Sequence, residues 1–109
     1  MASWKDLEKL NETDVAAITR FIDNIRRTKG KYNQTQQALL DLTERNLIRI
    51  LEAYKMSNAP STKQRIVDVP GFNDAMLKKA KTSLSALEAE IKELRENANT
   101  ILAILAKIG

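Results

Sequence analysis

Residues 76–108 read MLKKAKTSLSALEAEIKELRENANTILAILAKI. Within this run an apolar side chain returns at alternating steps of three and four, at Leu77, Ala80, Leu84, Leu87, Ile91, Leu94, Ala98, Ile101, Leu105 and Ile108. A mean step of about 3.5 residues holds one stripe on a single side of a slightly under-wound helix, the pattern by which one helix packs along another. The spacing therefore predicts a long C-terminal helix over residues 73–109 with a coiled-coil-like seam. At ~1.5 Å per residue it would be a rod of roughly 50 Å.

The last turns are apolar beyond the seam itself. Leu102 and Ile104 flank Ile101, Leu105 and Ile108, and a helix apolar around most of its circumference has to be covered on more than one side. Each Leu or Ile left in water forgoes roughly 1.5–3 kcal/mol. The cover is either the preceding helices of the same chain or a protein partner, a second copy included. A membrane surface is disfavoured, because the run carries a single Lys and is too short to span. Leu94, Ile101, Leu102, Ile104, Leu105 and Ile108 are the candidate protein interface on this ground. Glu88, Glu90, Lys92, Glu93, Arg95 and Glu96 flank the seam. Their pairs are worth a few tenths of a kcal/mol each, enough to bias orientation and too little to drive association.

Upstream of the seam, Pro60, Pro70 and Gly71 punctuate residues 58–72, where Ile66, Val67 and Val69 are spaced as in an extended segment. A loop is expected there, with Asn73 capping the long helix behind it and Phe72 and Leu77 forming a hydrophobic staple. Before the loop, Asn33 and Gln36 have capping-box spacing and open a second helix over 33–57 of roughly 36 Å. Its apolar face is Leu39, Leu40, Leu47, Ile50, Leu51 and Tyr54. The N-terminal segment, 1–31, holds two start signals. Ser3 precedes a short stretch with Trp4, Leu7 and Leu10 on one side, and Asn11 with Asp14 caps a helix beginning near Glu12. Val15, Ile18, Phe21 or Ile22, and Ile25 continue its stripe, Arg20 faces solvent, and Gly30 is the expected left-handed stop.

Taken together, the elements predict one all-α domain, an up-down-up three-helix bundle whose third helix outruns the second. Composition agrees: 109 residues, three Gly, two Pro and 5% aromatics leave little material for a strand-rich fold. With neither Cys nor His, the chain lacks thiol chemistry, the commonest neutral-pH general base and the common zinc ligands. Gly-rich phosphate loops, nucleophile elbows and calcium-binding loops are absent from the sequence as well. No enzyme, cofactor, metal site or small-molecule substrate is expected.

The function that follows is a non-catalytic assembly, adaptor or scaffolding module acting through its last helix by binding a protein partner or itself. The different-class alternative is a small nucleic-acid-binding protein. Net charge is +4, and Arg26, Arg27, Lys29 and Lys31 form the densest basic cluster. Helix C-capping explains the same cluster without a ligand. The first ten residues mix acidic and basic side chains and contain no apolar run, so a cytoplasmic location is expected, in a cellular or viral setting alike.

Overall fold

The computed structural model describes residues 4–58 and 74–108, and over them the chain is all-helical. Four α-helices, α1 (Glu12–Thr28), α2 (Gln34–Asn58), α3 (Asp74–Glu90) and α4 (Arg95–Ala106), follow a short 3-10 helix at Trp4–Lys9. Each helix packs on two neighbours: α1 on α2, α2 on α3, α3 on α4, and α4 back on α1. Among the described residues no contact crosses a diagonal, so the helices form a closed ring around one core. The body measures 45 × 23 × 21 Å. The loop expected over 58–72 and the cap expected at Asn73 fall outside the described residues, apart from Asn58, the last residue of α2.

Local signals account for the first two helices. Asn11 Oδ1 accepts the Asp14 N–H at 2.8 Å while Asp14 Oδ2 accepts the Asn11 N–H at 3.1 Å, closing the capping box that starts α1. Asn33 and Gln36 repeat the arrangement ahead of α2 at 2.8 and 3.3 Å. The end of α1 differs from expectation. Gly30 is not left-handed; the helix tightens into a 3-10 turn, Lys29–Lys31, and the Tyr32 N–H closes on the Lys29 carbonyl at 3.2 Å. Bonds of the tighter type satisfy the terminal carbonyls without a positive φ.

The C-terminal third departs most from the expected rod. All ten seam residues are buried, at 4% exposure or less, yet the helix that should carry them stops at Glu90. Ile91 is extended (φ −126°, ψ 97°), a 3-10 turn follows at Lys92–Leu94, and α4 runs back along α3. Neither Gly nor Pro marks the turn, so its cause is tertiary. A continuous rod would leave Leu94, Ile101, Ile104, Leu105 and Ile108 reaching past α2, and burying five such side chains is worth roughly 7–15 kcal/mol. Turning costs a few helical hydrogen bonds at roughly 0.5–1.5 kcal/mol each. Some are recovered: Ile91 N–H still reaches Leu87 O at 2.9 Å, Leu94 N–H reaches Ile91 O at 3.0 Å, and Arg95 Nε donates to the Glu88 carbonyl at 3.4 Å.

Two tertiary contacts fix the direction of the ring. Tyr32 donates its hydroxyl to Glu93 at 3.3 Å, joining the α1–α2 and α3–α4 turns at one end. Burial lifts the Tyr32 phenol above its ordinary pKa, and the adjacent Glu93 carboxylate adds to the shift. At the other end Lys107 Nζ donates to both oxygens of Asp14, at 2.9 and 3.1 Å. The start of α1 thus meets the end of α4, and successive helices run antiparallel.

Burial pushes the Asp14 carboxyl upward. The Lys107 hydrogen bonds, the Asn11 N–H and the Lys107 charge together outweigh it and hold the pKa below the ordinary value. A carboxyl depressed in the fold stabilises above its unfolded pKa, about 3.9, and that stability is lost as pH falls through the folded value. Asp14→Asn is therefore expected to cost about 1 kcal/mol at pH 7 and nearly nothing near pH 2. Denaturant midpoints at the two pH values check this; equal losses at both would show that the charge contributes nothing.

Candidate functional site

The residues expected to form a protein interface are placed inside the molecule. Leu105 is 0% exposed, Ile108 1%, Ile101 2%, Leu94 3% and Ile104 6%, and all belong to the single hydrophobic core. Leu102 is half-buried at the edge of that core. The greasy circumference of the last turns is covered by the chain's own α1 and α3, which flank α4 in the ring.

The basic cluster is divided rather than gathered. Arg26 Nε lies 3.2 Å from Glu44 on α2, and Lys29 pairs with Asp41 on the same helix. Arg27 and Lys31 are exposed and make no ion pair among the described residues. Half of the proposed phosphate contacts are thus engaged in joining α1 to α2. These exposed pairs contribute little stability, but they oppose the use of the four residues as one strip for nucleic acid.

Among the described residues, two surface features stand out. On one side of the ring, between α2 and α3, an apolar groove of about 560 Å³ is lined by Leu39, Leu42, Ala75 and Ala86 and rimmed by Lys78 and Lys79. Leu42, 45% exposed, is the only large hydrophobic residue among the described ones that stands in water. On the opposite side, between α1 and α4, a cleft of about 350 Å³ is bordered by the Arg20 and Arg27 side chains.

Sequence reasoning missed the groove because Leu42 was not assigned to either face of α2. The internal register of α2 contains the signal. Leu40, Thr43, Leu47 and Ile50 step by three, four and three, all are buried, and the Thr43 hydroxyl is satisfied by the Leu39 carbonyl at 2.9 Å. Fixing that face leaves Leu42 outside it. Asn46, also buried beside this face, keeps its Nδ2 without a hydrogen-bond partner among the described residues.

None of the described helices is long and apolar enough to cross a membrane, and no group of three or more carboxylates among the described residues is placed to hold a metal ion. No protein-family model matches the chain, and no curated protein or solved structure does so either.

Proposed function

We propose that the protein is a non-catalytic interaction module that receives an acidic amphipathic helix of another protein in the groove between α2 and α3. The observation that carries this reading is the exposure of Leu42 beside half-buried Leu39 in a lysine-rimmed apolar trough. Two parallel-sided helices offer a partner helix a ready seat, and one apolar face at i, i+3, i+4 and i+7 spacing fills it. Lys78 and Lys79, both exposed, reward Glu or Asp on the flanks of that helix.

A second copy is a poor occupant. Pairing this face with itself would set lysine rim against lysine rim in a protein already at +4. The C-terminal stripe that would otherwise drive self-association is occupied by the core. The isolated protein is accordingly read as a monomer whose partner is heterologous.

The test uses two model peptides that share one Leu-rich face, flanked by Glu in the first and by Lys in the second. Titrated into the labelled protein and followed by amide chemical shifts, the Glu peptide is expected to perturb residues around Leu42, Ala75, Thr82 and Ala86. It should bind about tenfold more tightly than the Lys peptide, and Leu42→Lys, which sets a charge on the apolar seat, should weaken both peptides by about tenfold or more. Equal binding of the two peptides, or shifts that map elsewhere, would overturn the reading.

A further inference from the structure

The α1–α4 cleft lies on the far side of the ring from the groove and is built from different chemistry. Arg20 and Arg27 are seven residues apart on α1, two turns along one face and roughly 10 Å along the axis. Neither guanidinium has an ion-pair or hydrogen-bond partner among the described residues, although Arg26, on the neighbouring face, is paired. Asp23 sits beside them on the surface of α1 but is not within ion-pair distance of either. Two cations thus border a concave site without an internal counter-charge in contact.

Between them, Asn24 on α1 and Asn97 on α4 bring amide groups to the same cleft, and Phe21 supplies an apolar floor. Thr100, across from Asn24, donates its hydroxyl proton to the Glu96 carbonyl at 3.0 Å. Its oxygen is left with acceptor capacity only. The arrangement is divided by function: planar guanidiniums match the oxygens of a phosphate, amides serve as donor and acceptor, and the Thr100 oxygen accepts from a hydroxyl. At about 350 Å³ the volume is at the small end of ligand sites.

We infer that the cleft between α1 and α4 binds a small phosphate monoester with a hydroxylated body, of sugar-phosphate or nucleoside-monophosphate size, with Arg20 and Arg27 holding the phosphate. A polynucleotide suits the site less well. Its affinity comes from many phosphates laid along a basic surface, whereas here two arginines border a cleft of about 350 Å³ and two of the neighbouring cations, Arg26 and Lys29, are paired to α2.

Calorimetry and amide-shift mapping on the full chain at low salt test this with ribose 5-phosphate, AMP, inorganic phosphate, ribose and a single-stranded oligonucleotide. Ribose 5-phosphate or AMP is expected to bind at least about tenfold more tightly than inorganic phosphate, and ribose not to bind, with shifts centred on Asn24, Asn97 and Thr100. An Arg20→Gln, Arg27→Gln double variant, both positions being exposed, should lose about tenfold or more, while Arg26→Gln and Leu42→Lys should change nothing. The inference is overturned by equal weak binding of every anion, by shifts away from the cleft on the unaltered protein, or by an oligonucleotide that outcompetes AMP with a steep salt dependence. Because Leu42→Lys separates the two faces, failure of the groove reading leaves this result interpretable.

Discussion

Leu105→Glu is expected to abolish the cooperative fold, whereas Leu102→Glu, three residues earlier, should leave it nearly intact. Leu105 is fully buried where α4 faces the ring, and Leu102 is half-buried at the margin. Removing a buried Leu side chain costs roughly 2–5 kcal/mol, and forcing an unpaired carboxylate into the space adds several more. A domain of this size has about 5–15 kcal/mol in all, so the first change exhausts most or all of it. The second exchanges partly wet apolar surface for charge and should cost about 1 kcal/mol. Thermal melts by circular dichroism and the dispersion of amide resonances report both. If the two residues instead faced a separate subunit, each variant would keep its fold and change only the mass in solution. A cooperative melt for Leu105→Glu would contradict the burial described above.

The other large effect concerns the turn at Ile91. Lys92 is the first residue of a 3-10 turn preceded by an extended residue, a setting that accepts proline, because the preceding backbone is already outside the helical region. Lys92→Pro is expected to change stability by about 1 kcal/mol or less. In the middle of an unbroken helix the same change would cost roughly 3 kcal/mol or more through a lost hydrogen bond and a ring clash. The sign of the comparison does not depend on any partner, since Lys92 is exposed.

Why one feature of this region was legible and the other was not follows from the residues themselves. The 3-4 spacing from Leu77 to Ile108 correctly selects ten buried positions, because any amphipathic helix must turn that stripe toward a core. It is silent on whether the core belongs to a neighbour along a straight rod or to the same chain folded back, since the apolar phase carries on unbroken through Ile91 and Leu94. Turns announced by Gly or Pro can be seen in a sequence; this one, Ile91 to Leu94, is made of ordinary helix formers and exists because five aliphatic side chains are better buried at home. The capping boxes at Asn11 and Asn33 were readable because their partners lie three residues away. The pairings Arg26–Glu44, Tyr32–Glu93 and Asp14–Lys107 were not, because they join residues 18, 61 and 93 positions apart.

The candidate sites divide in the same way. Composition directs attention away from catalysis, and the basic residues near the end of α1 are conspicuous in the sequence. Only the packing shows that α2 neutralises Arg26 and Lys29 while Arg20 and Arg27 border an unfilled cleft with α4. Likewise, Leu42 becomes noticeable only once the buried face of α2 is fixed by Leu40, Thr43, Leu47 and Ile50.

The fold-back of α4 on α3 is the claim on which the buried C-terminal stripe and the α1–α4 cleft rest, and the chain's lack of cysteine makes it directly measurable. Spin labels placed at Ala75→Cys and Ala106→Cys, both exposed, report the separation of the two helix ends by pulsed electron resonance. Antiparallel neighbours with axes 8–10 Å apart and a length difference of roughly 8 Å place the labels within about 25 Å of each other. A distribution centred near 46 Å, the span of about 31 residues of unbroken helix, would contradict the fold and restore the rod.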